Sequence, residues 1–196
     1  MPIESLPQII LDKYDVKEYR HAITILKNDF PSEYDDIINT LTSFTLKKSA
    51  IQAGGGSKSD ISGELDSDLY KLGWEEKMFD TKLTIDGATY DTPTHKIDCY
   101  KNRIALDIEW NNKDPFFDRD LNNYRLLHDR GAISVAVIIT RCTDLKKLFT
   151  SLGINTKYGA STTHWDKLIP RIDGGSGAGC PILVFGISQR NYNPNA

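Results

Sequence analysis

Three acidic side chains stand where their spacing could do chemistry: Asp98, Asp107 and Glu109. The last two lie in Ile104-Ala105-Leu106-Asp107-Ile108-Glu109-Trp110. There Ile104, Leu106, Ile108 and Trp110 recur at period two and put Ala105, Asp107 and Glu109 on the opposite face of a strand. The preceding segment, Ile97 to Lys101, reads as a second strand. A tight turn at Lys101-Asn102 suits the left-handed conformation that Asn tolerates. That turn pairs Cys99 with Ile104, Asp98 with Ala105 and Lys96 with Asp107, so all three carboxylates project from one face of the hairpin. Acids gathered in this way repel one another, and a divalent cation or a cationic partner is the natural compensation. Period-two alternation also describes an ordinary edge strand with acids toward solvent, and Lys96 opposite Asp107 also reads as a plain cross-strand pair.

The surrounding elements give this hairpin an α/β setting, a central mixed β-sheet flanked by helices. Asp114-Pro115 starts a helix whose buried stripe is Phe117, Leu121, Tyr124 and Leu127, with Gly131 as its stop. Ala132 to Thr140 is a continuous apolar run, as expected of a central strand covered on both faces. Strand, helix, strand in that order implies a parallel pair. A helix capped by Thr143 or Asp144, a shorter one over Thr163 to Ile169 and a strand from Pro181 to Ile187 follow. Upstream, the spacing of Tyr19, Ala22, Ile23 and Leu26 predicts a helix from Val16 to Leu26. A second helix is expected from an N-cap at Ser32 through Phe44, and a third over Leu65 to Leu72, ended by Gly73. The glycine-rich stretch Gly54 to Ser57, with Lys58, lacks the ending of a phosphate loop and reads as a polar loop or linker. His21, His95, His128 and His164 show no ligand spacing, and His95 is expected on the apolar face of the hairpin. Phe117 and Tyr124 are expected in the core.

At 196 residues the chain fits one domain, 1–196, with a helical N-terminal part over 1–50 and a catalytic core over about 60–188. A net charge of −3 argues against a nonspecific nucleic-acid binder but allows a site-specific one with its cations gathered in one cleft. No apolar run approaches the ~20 residues of a membrane span. Three widely spaced cysteines and an N-terminus without a secretion signal point to a reducing compartment, the cytoplasm.

The pattern of an acid, eight residues and then acid-x-acid resembles the PD-(D/E)xK nucleases. Glu109 stands where most of that superfamily carries Lys, which is similar to the type II restriction endonucleases of the BglII/BstYI (BamHI-like) group. The aromatic Trp110, the polar loop, the helix, the long apolar strand, Gly73-Trp74-Glu75 and Cys180-Pro181 to Ile187 extend that resemblance over roughly residues 60 to 188. It implies a Mg²⁺-dependent homodimer that hydrolyses double-stranded DNA at a short palindrome, with a GATC centre and a 5′ overhang. Asp98, Asp107 and the carbonyl of Ile108 would hold Mg²⁺, and Glu109 would orient or deprotonate water. An upstream acid near Trp74 falls on Glu75 or Glu76. Lys96 and Lys113 are phosphate-contact candidates, Arg141 a reader of base edges, and Lys58, Asn111 and Asn112 loop residues suited to groove contacts. The alternatives are a PD-(D/E)xK repair or junction-resolving nuclease and a non-catalytic DNA-binding module.

Overall fold

The computed structural model describes residues 3–53, 59–92 and 94–195. In chain order the elements are α1 (Gln8–Lys13), β1 (Tyr14–Tyr19), α2 (Ala22–Asp29), α3 (Pro31–Ser43), β2 (Leu46–Lys47), α4 (Lys48–Gln52) and α5 (Asp60–Lys71). There follow β3 (Glu75–Lys77), β4 (Lys82–Ile85), β5 (Ala88–Asp91), β6 (Ile97–Lys101), β7 (Ile104–Glu109), α6 (Pro115–Asp129) and β8 (Val135–Arg141). The chain closes with α7 (Leu145–Ser151), α8 (Trp165–Asp173), β9 (Ile182–Ile187) and β10 (Tyr192–Asn193).

Six strands form a mixed sheet in the order β1-β9-β8-β7-β6-β3. The three central strands, β7, β8 and β9, run parallel, and the hairpin partner β6 and the edge strands run antiparallel to their neighbours. The expected parallel pair joined through a helix is β7–α6–β8, and β8 is buried along its whole length. Alternation on β7 divides the interior. Ile104, Leu106, Ile108 and Trp110 pack with Val137, Ile139 and Phe185 against α2, α3 and α5. Ala105 packs on the other side with Ala136, Ile138 and Val184, beneath Leu121 and Tyr124 of α6 and Leu168 of α8. Asp107 and Glu109 therefore point from the strand toward α6.

Several boundaries differ from the sequence-based expectation. The helix expected over Val16 to Leu26 is instead strand β1, a left-handed turn at Arg20 and His21 (φ 54° and 59°), and then α2. Val16 pairs with Phe185 and Tyr14 with Ile187, and this long-range ladder overrides local helical spacing. The N-terminal part is therefore not helical throughout, because β1 supplies an edge strand of the sheet that carries the acids. α3 starts at Pro31 with Phe30 in the cap position, not at a Ser32 cap, since Pro is preorganised for the first helical position.

The hairpin turn lies at Asn102-Arg103, both left-handed (φ 44° and 70°), one residue beyond the expected place. Lys101 is drawn into the ladder opposite Ile104 because its Nζ donates to Asp36 and to the carbonyl of Leu72, each at 2.8 Å. The register shifts by two residues and Cys99 meets Leu106, which brings Asp98 alongside Asp107 in place of Ala105. A shift of two leaves Cys99 and the side chains of β7 on their expected faces, whereas Ile97 packs on the α6 side with Ala105.

Candidate active site

The acids meet where β6 leaves the ladder. The amide of Asp98 donates to Asp107 Oδ1 at 2.9 Å, and Asp98 Oδ2 accepts from the amide of Ile108 at 2.9 Å. The two carboxylates are thereby locked to opposite strands. The Tyr124 hydroxyl, delivered by α6, donates to Asp107 Oδ2. Glu109 is held from the loop after its own strand, with Asn112 Nδ2 donating to Oε2 at 2.8 Å. Its backbone carbonyl accepts from Thr140 Oγ1 at 2.7 Å, which ties the ends of β7 and β8 together.

A fourth acid, Asp120 on α6, joins this group. Asp120 and Glu109 are both buried, each 2 % exposed, and their side chains meet. The group's cation is Arg119, whose Nε and Nη2 donate to Asp120 Oδ1 at 3.0 and 2.9 Å and whose Nη2 lies 3.6 Å from Glu109 Oε1. Arg119 also sits 4.0 Å above the Phe116 ring and opens on a groove of about 340 Å³ lined by Thr94, His95, Asn122, Asn123 and Leu126.

Burial and mutual repulsion disfavour the charged forms. Burial pushes the Asp107 carboxyl well above the usual range, and the charges of Asp120 and Asp98 push it further. Glu109 is raised to about 7, chiefly by burial, against the opposing hydrogen bond from Asn112. Asp120 is raised to about 8 by burial and by the Glu109 charge, although Arg119 pulls the other way. Among the described residues Asp120 Oδ2 has no hydrogen-bond partner. Two facing carboxylates offer each other no donor, so only a proton or a cation can sit between them.

A cluster of hard oxygen donors carrying excess negative charge and an orphaned oxygen suits Mg²⁺ or Ca²⁺. Among the described residues no group of three or more Asp, Glu, His or Cys side chains stands where it could hold a metal ion. The carboxylates are engaged instead by the Asp98 and Ile108 amides, Tyr124, Asn112 and Arg119.

The other expected residues fall in several places. Glu75 and Glu76 are exposed on β3 and pair with Lys77 at 3.8 Å and Lys96 at 2.8 Å. Lys96 consequently faces Glu76 and not Asp107. Asn111 donates to the Lys157 carbonyl at 3.2 Å, while Lys113 is exposed and bridges to Thr162 through its backbone. His95 is exposed beside the groove, not on the apolar face, because the strand pattern breaks at Asp98. Lys58 lies outside the described residues.

Arg141 is the last residue of β8 and is 3 % exposed. Its Nη2 donates to Thr162 Oγ1 at 2.6 Å, and burial lowers its pKa to about 10. Asp120 and Arg119 are the residues that sequence reasoning passed over. The available signal was an acid inside the apolar stripe, three residues after Phe117 and four before Tyr124.

A comparison with curated protein sequences returned no match. The family described as Restriction endonuclease BglII/BglIII matches residues 14–187, a span that runs from the first residue of β1 to the last of β9 and contains every acid of the site. The chain belongs to this restriction endonuclease family, and is a type II, site-specific deoxyribonuclease that acts on double-stranded DNA.

Proposed function

We propose that the Asp98–Asp107–Glu109–Asp120 cluster is the phosphodiester-hydrolysing centre and that it works with Mg²⁺. The supporting observation is the convergence of four acids from β6, β7 and α6 on a buried point balanced by one guanidinium. Asp98, Asp107 and the Ile108 carbonyl would hold the ion, with Asp120 added to the set. The bound ion supplies Lewis acidity at the scissile phosphoryl group.

The protein's own groups do the rest. Tyr124 and the Asp98 amide fix both oxygens of Asp107, so its carboxylate cannot rotate away from the strand pair. Asn112 aims Glu109, whose pKa near 7 lets it accept a proton from the attacking water at neutral pH. Arg119 reaches from the acids to the groove, where a positive charge favours the phosphate backbone. Lys113 and Asn111 lie on the loop at this end of β7.

The whole chain acts as one endonuclease domain in the cytoplasm, and two copies clasp a short palindrome with a GATC centre, cut to leave a 5′ overhang. Two-fold symmetry in the protein matches that in the site. Among the described residues no helix is long and apolar enough to cross a membrane. Digestion of a sequenced plasmid in Mg²⁺, followed by sequencing of the ends, tests this. Discrete fragments ending in one palindromic 5′ extension are expected. Structure-dependent nicking without sequence preference would overturn the reading.

A further inference from the structure

A second cavity lies beyond the ends of the parallel strands. It has a volume of about 190 Å³ and is lined by Arg141, Thr143, Lys146, Phe149, Tyr158 and His164 among others. Thr140 pairs with Glu109 across β7 and β8, so Arg141 stands one residue beyond the level of Glu109 at the same end of the sheet.

The Arg141 guanidinium is almost wholly buried, and its described contacts are Thr162 Oγ1 and the rings of Phe149 and Tyr158, 5.8 and 5.7 Å from the guanidinium carbon. No carboxylate is among them. Two buried polar atoms on residues of the cavity wall, Arg141 Nε and Thr143 Oγ1, have no partner among the described residues. A buried charge without a counter-ion is costly, and so is a buried donor without an acceptor. The ring of His164 meets the Thr162 carbonyl through Nδ1 at 2.7 Å, and burial lowers its pKa, so it adds no second fixed charge. Lys146 is exposed at the mouth.

We propose that this cavity is a phosphoryl-anion site, in which Arg141, Thr143 and Lys146 take a backbone phosphate of the bound DNA outside the acid cluster. Phosphate carries the negative charge that the guanidinium lacks, and its oxygens are acceptors of the kind that both orphaned donors lack. The immobile guanidinium makes this a contact that sets position, not one that reads bases. The inference rests on DNA lying across the carboxyl ends of β7 and β8. An Asp107→Asn variant that fails to cut but still binds tests that placement separately.

The test measures binding of wild type, Arg141→Met and Lys146→Ala to a short mixed-sequence duplex and to the cleaved site, in Ca²⁺, over a range of salt. For Arg141→Met, the log–log salt dependence is expected to become shallower by about 0.9, with both duplexes weakened by the same factor. Lys146→Ala is expected to change both in the same direction. The thermal midpoint of Arg141→Met is expected to be equal or higher, since an apolar chain replaces a buried charge. If that variant does not fold, Lys146→Ala, altered at an exposed position, carries the test. Inorganic phosphate at constant ionic strength distinguishes the sources. Competition with the duplex in wild type alone marks a site open to free phosphate as well, and no competition marks one filled only by DNA. An unchanged salt slope, or a loss confined to the cleaved site as a base contact would give, overturns the proposal.

Discussion

The backbone amide of Asp98 donates to the carboxylate of Asp107 at 2.9 Å, across the point where their two strands part. Each acid is therefore held by the other's strand, and neither can be moved without disturbing the pair. The contact exists because the hairpin turn falls at Asn102-Arg103, so that Asp98 lies alongside Asp107.

Tyr124 is the third member of that arrangement. Tyr124→Phe keeps the ring in the core and removes the donor to Asp107 Oδ2. Supporting hydrogen bonds of this kind are worth about 10–100-fold in metal affinity or activity. A fall of that size in Mg²⁺-dependent cleavage is expected, together with weaker Ca²⁺ binding by calorimetry. Unchanged Ca²⁺ affinity would show Tyr124 to be a packing residue only.

The raised carboxyls make stability depend on pH. Glu109 and Asp120 titrate near 7 and 8 in the folded protein, against about 4 for an unfolded carboxylate. Between these values the folded state holds protons that the unfolded chain has released, so stability falls as pH rises from about 4 to 8. Thermal melting in chelator is expected to show a lower midpoint at pH 8 than at pH 5.5. Added Mg²⁺ or Ca²⁺ is expected to restore more at pH 8 than at pH 5.5. A chelated protein more stable at pH 8 would contradict the assignment.

Asp120→Asn separates stability from activity. Removing a buried charge that repels Glu109 and Asp107 is expected to stabilise the chelated protein at pH 8, by on the order of 1 kcal/mol, while cleavage is lost. Denaturant unfolding and plasmid cutting measure the two effects. A destabilised, fully active variant would remove Asp120 from the site.

Close packing beside the site gives a further expectation. A methyl group at Gly186 would lie 2.5 Å from Cys142 Sγ and 2.7 Å from Trp165 Cε3. Gly186 pairs with Thr140, which holds the Glu109 carbonyl. Gly186→Ala is expected to cost about 1–3 kcal/mol in denaturant unfolding through overpacking. A neutral substitution would mean that Trp165 yields freely.

The hairpin was legible in the chain because period-two alternation survives a register slip of two residues: Asp98, Asp107 and Glu109 stayed together although the turn moved. The stripe of α6 was legible because Phe117, Leu121, Tyr124 and Leu127 recur at the three- and four-residue spacing of a helix. β1 was not, because its identity depends on a ladder with β9 more than 160 residues away, and the spacing of Tyr19, Ala22, Ile23 and Leu26 mimics one helix across a turn. The fourth acid was sought upstream at Glu75 or Glu76, in line with the resemblance. The acid that lies beside Glu109 is Asp120, whose nearness depends on how α6 crosses the sheet. Arg141 was placed correctly at a strand end, but its burial depends on the Phe149 and Tyr158 rings that close over it.

The central claim is that the interlocked acids carry the hydrolysis. Asp107→Asn keeps the side chain's shape and removes its charge; its single carbonyl oxygen still accepts from the Asp98 amide, while the bond with Tyr124 has to reverse, Nδ2 donating to the hydroxyl oxygen. The direct measurement is plasmid cleavage in Mg²⁺ by this variant beside its affinity for the cleaved site in Ca²⁺. Cleavage reduced by more than about 100-fold with specific binding retained is the expected result, since losing a ligand exceeds the loss of a supporting bond. Cleavage at the wild-type rate would contradict the account.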